Sequence, residues 1–445
     1  MITVPGKYTT ADVMIDDLES EALSQIHHFV NHHAFTNPVK IMPDVHSGKG
    51  SVIGFTMPMT DKVIPNVVGV DIGCGILSIN VGKELSLSQE MLDHKIRQRI
   101  PFGAEVHENS VIHMKNDFPW KRVNVIAQEF AAAYRDKYGV YPEWDEYTMD
   151  WFKNTCEKRI GGGLRRIINS LGTLGGGNHF IEIGVSESGD HWITVHTGSR
   201  NFGKRVCDYW QGKAVKWLRK DRQVELRKRI EEVKKTVDDG KEIYRRIKEI
   251  KKELKFDTDI DMKGCEWLEG PMATGYLFDM IFAQTYAEVN REYIVRIIQD
   301  ILDVGVKDKI ETVHNFIDFR DWIIRKGSIR SYVGERILIP FNMRDGILLC
   351  EGKSNPDWNY SAPHGAGRVL SRSKAKKILD VKDFKNQMGS VFSTSVGYNT
   401  LDEAPGAYKD SDKIEKAIEP TASIIEKVIP IHNMKDFSKF NHTRK

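Results

Sequence analysis

The sequence predicts an α+β protein. Two regions of short, glycine-punctuated β-rich runs alternate with segments of helical periodicity, and no internal repeat or low-complexity linker divides the chain. The first β-rich region runs from Lys40 to Gly82, with strands expected over Ser51–Met57, Val67–Val70 and Gly75–Val81, where Val, Ile and Phe are bounded by Gly, Pro and Asn. The second runs from Gly172 to Gly203 and holds strand-like Phe180–Ile183 and Trp192–Val195. Helices are expected over Leu85–Arg99, Trp120–Tyr138 and Ala273–Asp303. A hairpin is expected over Ile337–Cys350 around Arg344-Asp345-Gly346, and a final helix over Ile414–Val428.

Residues 213–255 differ from the rest, because well over half are charged, with close to two cations for each anion. Leu226, Ile230, Val233 and Val237 repeat at 4-3-4 spacing, as do Ile243, Ile247, Ile250 and Leu254. Asp238-Asp239-Gly240 between them is a turn signal, so the segment reads as an inserted antiparallel helical hairpin. Its plain role is a solvated arm; its sharper one is a basic surface for a nucleic-acid backbone.

The 445 residues carry 65 Lys+Arg and 62 Asp+Glu, a formal charge of +3, and 40% are hydrophobic. That balance fits a globular chain and excludes a uniformly basic nucleic-acid coat. The cysteines, Cys74, Cys156, Cys207, Cys265 and Cys350, are odd in number, far apart and free of any CxxC pair, so a disulfide framework or zinc ribbon is not expected. Asp12, Asp16, Asp17 and Glu19 occupy the place of a signal peptide's apolar run, and no apolar segment approaches the ~20 residues of a membrane span. A cytoplasmic protein without a membrane partner is expected.

Five segments have residue types suited to chemistry. In Val70-Asp71-Ile72-Gly73-Cys74-Gly75, a carboxylate and a thiol share a tight glycine turn, a pairing that suits Mn²⁺, Zn²⁺ or Co²⁺ as well as a buried Cys beside a capping Asp. Gly175-Gly176-Gly177-Asn178-His179-Phe180-Ile181-Glu182 feeds a polar Asn-His-x-x-Glu into a β-rich stretch, where N–H groups can meet phosphate and His179 a metal. His196-Thr197-Gly198-Ser199-Arg200 places an imidazole at a strand end before a guanidinium fitted to phosphate. His314, in Thr312-Val313-His314-Asn315, reads by itself as a core or surface histidine. In Ser361-Ala362-Pro363-His364-Gly365-Ala366-Gly367-Arg368, the imidazole precedes a small-residue turn into an expected helix over Arg368–Leu379, an arrangement suited to phosphate at a helix N-terminus. Neither GxxxxGK[ST] nor a strand-anchored GxGxxG is present. His27, His28, His32 and His33 lack an accompanying acid and read as a polar helix face.

Together these segments resemble the RtcB family of GTP-dependent RNA ligases. The matching text is MPDVHSGKG (42–50), VGVDIGCG (68–75), GTLGGGNHFIE (172–182), VHTGSRNFG (195–203), RKGSIR (325–330), SAPHGAGRVLSR (361–372) and EAPGAYKD (403–410), in family order over nearly the whole chain. The resemblance implies one large domain over 1–445 with a sandwich-like core of short mixed strands, flanking helices and the 213–255 hairpin inserted. It also implies two Mn²⁺ ions held by Asp71, Cys74, His179, His196 and His314, with Cys74 bridging, and His364 as the guanylylated nucleophile. Asn178, Glu182, Asn315, Asn342, Tyr408 and Lys435, with His364, Gly365, Ala366 and Gly367, fall at GTP-binding positions, and Arg200, Lys326 and Arg372 at RNA-phosphate positions. The implied reaction joins RNA 3′-phosphate or 2′,3′-cyclic phosphate ends to 5′-hydroxyl ends through an RNA-ppG intermediate, in tRNA splicing or RNA repair, with room for an archease-type activator.

The chain departs from the family pattern at Pro340-Phe341-Asn342-Met343, where Pro-Gly-Ser-Met is expected, and in its long charged hairpin. Both suggest a divergent branch. They leave open a two-metal cyclic-phosphate phosphodiesterase that does not ligate, and a non-catalytic RNA-end-binding protein.

Overall fold

A computed structural model of the chain describes residues 1–254 and 263–438. In chain order its strands are β1 (Ile2–Pro5), β2 (Thr10–Val13), β3 (Val39–His46), β4 (Ile53–Pro58), β5 (Gly75–Gly82), β6 (Phe180–Val185), β7 (His191–Thr197), β8 (Asp308–Val313), β9 (Phe316–Asp318), β10 (Ile323–Lys326), β11 (Ser328–Arg330), β12 (Arg336–Pro340), β13 (Ile347–Gly352), β14 (Ser361–Pro363) and β15 (Ala422–Met434). They form a six-stranded sheet ordered β1-β2-β3-β4-β10-β9, a two-stranded pair β11-β14, and a seven-stranded sheet ordered β12-β13-β15-β6-β7-β5-β8. With helices over the remaining chain, the class is α+β, as the sequence predicts.

The seven-stranded sheet is antiparallel throughout and curls toward closure. Its two edge strands are tied by Arg336, which pairs with Asp308 and donates to the Lys309 carbonyl at 3.2 Å. Alternation along β5 explains how both faces are buried. Ile76 joins Phe180, Trp192, Leu338 and Leu349 on one side, whereas Leu77, Ile79 and Val81 pack with Ile294 and Ile298 of the long helix Gly270–Leu302 on the other. The larger core lies between that helix, Trp120–Tyr138 and the six-stranded sheet, with Phe130, Phe152, Phe202 and Phe282 fully buried.

Trp120–Tyr138, Gly75–Gly82, Phe180–Val185 and His191–Thr197 form where periodicity places them. Other segments differ. Val67–Val70 is not a strand, because Pro65 starts a short helix Pro65–Val68 that Gly69 ends. Ile414–Val428 splits into a helix Ser411–Ala417 and strand β15, since Ala422–Met434 is β-branched and pairs with both β13 and β6. The helix after His364 begins at Arg372, so His364 stands on the loop after β14 and not at a helix N-terminus. His27 and His28 lie on the helix Ser20–Val30, but His32 is buried against Trp267 with His33 stacked on it.

The charged hairpin exists with its expected seam, in which Val233 and Ile250 are buried. Its first helix starts earlier, at Arg200, and runs to Thr236; the second is Gly240–Glu253, with Asp239 as its N-cap. Lys255, the last residue of the expected hairpin, lies outside the described residues. All five cysteines are buried and free. No described helix is long and apolar enough to cross a membrane.

Candidate functional site

Strand order and direction assemble the first group of side chains. β6, β7, β5 and β8 are neighbours and antiparallel, so the start of one lies beside the end of the next. Cys74 precedes β5, His179 precedes β6, His196 sits near the end of β7 and His314 follows β8, so all four meet at one end of the sheet. The Cys74 Sγ atom lies 3.5 Å from His179 Nε2 and 3.3 Å from His196 Nε2, and His196 Nε2 lies 3.4 Å from His314 Nε2. Asp71 Oδ2 is 3.0 Å from His179 Nε2. Two overlapping donor sets result, Asp71–Cys74–His179 and Cys74–His196–His314, with Cys74 common to both.

The donor chemistry fits divalent cations. Burial, with nearby cationic groups, holds His196 and His314 well below the usual imidazole range, so both are neutral donors. His179 Nδ1 lies 2.9 Å from the Leu174 carbonyl; an N–H donated there leaves the Nε2 lone pair facing the Asp71 carboxylate. Burial, reinforced by Asp71, pushes the Cys74 thiol well up, so ionising it calls for a strong positive charge at the sulfur. Two neutral imidazoles, a carboxylate and a thiol that a cation would ionise make a donor set suited to a divalent metal.

The long helix Gly270–Leu302 braces these loops. Arg291, fully buried, pairs with Glu311 at 2.8 Å and donates at 2.9 Å to the carbonyls of Gly73 and Thr197, next to Cys74 and His196. Asn290 accepts from the Gly172 and Thr173 N–H groups and donates to the Gly198 carbonyl. Sequence reading missed both, although Ala287, Arg291, Ile294 and Ile298 repeat at 4-3-4 spacing, which puts a charge on a buried stripe. Gly198 leaves room for the Asp71 carboxylate: a Cβ there would meet Asp71 at 2.3–2.5 Å.

His364 stands beside this cluster, with its ring centroid 4.6 Å from that of His314. Its Nδ1 is 2.6 Å from Asp44 Oδ2, and its backbone N–H donates to the same oxygen at 3.2 Å. Asp44, at the buried end of β3, is a further residue the sequence reading missed; a carboxylate inside a β-rich run after Pro43 was the available signal. Donation of Nδ1–H to Asp44 leaves the Nε2 lone pair for reaction. Gly367, at φ +74°, permits the loop to pass Asp44, whose backbone an added Cβ would meet at 2.3–2.6 Å.

Two cavities adjoin His364. The first is lined by Asn178, Glu182, Gly365, Ala366, Gly367, Tyr408 and Lys435 from the expected nucleotide set. The second is a cleft lined by Asp71, Cys74, His314, Asn315, Lys326 and Arg372. His364, His46, Asn178, Arg368 and Arg372 line both. In the first cavity, Asn433 donates to Glu182 Oε2 at 2.7 Å while Glu182 Oε1 is buried without a partner among the described residues, and burial pushes this carboxyl up to about 8. Glu403, also missed, accepts from Lys435, Arg368, Arg372 and Tyr408 at 2.7–3.1 Å; burial opposes its charge, but these cations more than offset it and hold the carboxyl far below the usual range.

Other expected residues are engaged elsewhere. Asn342 lines the first cavity, yet its amide closes the β12–β13 turn through Arg344, Asp345 and the Asp345 carboxylate. Phe341 is buried in an apolar cluster with Ile339 and Ala366, which accounts for the bulky residue at this position. Asn315 borders the cleft and not the first cavity, and bonds the Asp71 carbonyl and the Gly327 N–H. Arg200 borders neither cavity and donates to the Gly103 carbonyl and Thr173 Oγ1. Lys326 is buried at the cleft wall, donates to the carbonyls of Lys49 and Ser51, and is pulled down to about 7 by burial. Arg372 remains half exposed between Asp402 and Glu403.

Comparison with known proteins gives a consistent picture. A sequence profile of the RtcB family, described as tRNA-splicing ligase RtcB, matches residues 25–436. The chain is 31% identical over 409 residues to an RNA-splicing ligase RtcB1 of Escherichia coli, and 30% identical over 409 residues to the RNA-splicing ligase RtcB of E. coli K12, with 87% of each chain covered in both cases. It is 25% identical over 489 residues to a tRNA-splicing ligase RtcB of Nanoarchaeum equitans, covering 93% of this chain and 91% of the relative.

Proposed function

The chain belongs to the RtcB family of RNA ligases, and on that premise we propose that it is a GTP- and Mn²⁺-dependent enzyme joining RNA 3′-phosphate or 2′,3′-cyclic phosphate ends to 5′-hydroxyl ends through guanylylated His364. The observation that carries this proposal is the position of His364: it lines both the nucleotide cavity and the cleft, beside a cluster in which one thiol serves two donor sets.

In the first step, His364 Nε2 attacks the α-phosphorus of GTP; an N–P bond forms as the P–O bond to pyrophosphate breaks. Asp44 fixes the ring and stabilises the positive charge that develops on the imidazole. Glu182 would accept guanine N–H groups on its unpartnered oxygen, and Lys435 and Tyr408 complete the wall. GMP then passes from His364 to the RNA 3′-phosphate, and the 5′-hydroxyl attacks that phosphorus, expelling GMP. Arg372 borders the cleft and offers a guanidinium to RNA phosphate. Asp71, Cys74, His179, His196 and His314 would hold the two Mn²⁺ ions, which supply Lewis-acid stabilisation of phosphoryl charge when bound.

Incubation with Mn²⁺ and α-labelled GTP tests the proposal. Acid-labile label on the wild type and none on His364→Ala is expected; label of equal intensity on both would overturn it.

A further inference from the structure

The long helix that carries the charged arm is rooted in the site. Its N-cap residue, Ser199, donates its N–H to Asp71 Oδ1 at 3.0 Å, and the helix then runs unbroken from Arg200 to Thr236. Up to Ala214 it is packed into the body through Phe202, Val206, Cys207 and Trp210, and Leu218 also packs against that core. From Leu218 to Thr236 the rise of 1.5 Å per residue carries the arm about 27 Å outward. The returning helix covers only the seam, which Arg229 clamps by pairing with Glu253 at 2.8 Å across the hairpin and with Glu225 at 2.9 Å along its own helix.

The charges on this arm divide into paired and unpaired groups, and Arg227, Glu231 and Glu232 are exposed outside the ion pairs among the described residues. Arg229, Arg245 and Arg246 are held by Glu225, Glu253, Glu242 and Glu249, so these arginines neutralise the glutamates and stiffen the helices. Lys228, Lys235, Lys241, Lys248 and Lys252 are exposed and have no ion pair among the described residues. Lys228 and Lys235 are seven apart; Lys241, Lys248 and Lys252 are seven and four apart. Each set therefore shares one helix face, on the side away from the seam. Tyr244, 72% exposed, stands among them as a stacking surface. Ammonium groups on flexible stems are point charges that suit phosphates of any sequence, unlike the forked geometry used to read a base. The root of the arm borders the cleft: Lys49 lines it and pairs with Asp208 of the first helix at 3.6 Å.

We propose that the arm is a sequence-independent RNA rail that holds the sugar–phosphate backbone of a structured RNA outside the cleft while its ends occupy the site. This rests on the ligase function proposed above. The partner is RNA because the cations are aligned, lysine-type and without ion pairs among the described residues, and because the first helix of the arm, which carries Lys228 and Lys235, begins at the candidate catalytic loops.

The test uses the full chain with Lys228, Lys235, Lys241, Lys248 and Lys252 all changed to Gln, and a matching variant with all five changed to Arg. Binding is measured against KCl concentration for a nicked RNA of tRNA size and for an RNA of about six nucleotides, too short to reach the arm. For the large RNA, the Gln variant should show a salt slope lower by roughly 0.7–0.9 for each phosphate it no longer neutralises, and at least tenfold weaker binding at low salt. The short RNA and His364 guanylylation should be unaffected, and the Arg variant should bind like wild type. An unchanged slope, an equal loss on the short RNA, or Arg behaving like Gln would overturn the rail. A wild-type dimer that the Gln variant dissociates would also overturn it, in favour of a protein interface. Guanylylation needs no RNA, so its absence in the wild type would count against the ligase function alone, and the salt slope would still decide the arm.

Discussion

Asp44 and His364 are 320 residues apart in sequence and 2.6 Å apart in space. Asp44→Asn keeps the side-chain volume but removes the charge that balances the developing imidazolium and favours the wrong tautomer. The guanylylation rate should fall by on the order of 10²-fold or more while the melting temperature stays near wild type; a rate within twofold would remove Asp44 from the mechanism. Glu182 makes a pH prediction. Its folded carboxyl is raised to about 8 from 4.5, so between those values the folded chain holds a proton that the unfolded chain releases. The nucleotide-free protein therefore loses stability as pH rises through that window, and Glu182→Gln flattens the dependence. Because the ionised carboxylate accepts guanine N–H groups more strongly than the protonated acid, wild-type GTP affinity should rise toward pH 8; calorimetry across pH 6–8.5 measures both effects. The family motifs made His364 and the five candidate metal donors legible in the sequence, His314 through the resemblance alone. Asp44, Glu403 and Arg291 were not, because their roles come from partners far along the chain.

The helix Gly270–Leu302 ties the metal loops to the core, so its polar pair is the place to test that link. Arg291→Met removes the partner of partly buried Glu311 and leaves the Gly73 and Thr197 carbonyls without their donor. A loss of about 3–5 kcal/mol in urea unfolding is expected, with weaker Mn²⁺ binding by titration calorimetry. Arg291→Lys keeps the charge without the fork and should restore only part of each. Gly198→Ala drives a Cβ into the Asp71 carboxylate; it should weaken Mn²⁺ binding at least tenfold by titration calorimetry while leaving the helices intact by circular dichroism. Elements with strong periodicity, such as Trp120–Tyr138, were legible within a residue or two. Ala422–Met434 was not: helical spacing and β-branched residues conflict there, and pairing with β13 and β6 decides for strand.

Metal binding should also be felt by the whole molecule, because Asp71, Cys74, His179, His196 and His314 come from four neighbouring strand ends and converge only when the sheet is formed. Mn²⁺ at a hundredfold excess over Kd should add about 2.7 kcal/mol of stability, read as a rise in melting temperature that a chelator reverses and Cys74→Ser diminishes. No rise would exclude a metal centre linked to folding. The sequence by itself determined the α+β class, the heptad-like seam of the arm and the residue types that carry the chemistry, because propensity, periodicity and short glycine-rich motifs are local properties. Tertiary structure alone decided that Asp44 orients His364, that Asn342 closes a turn, and that Arg200 is engaged by Gly103 and Thr173. Those outcomes depend on strand order and on which buried polar groups find partners, and both are set by the packing of segments hundreds of residues apart.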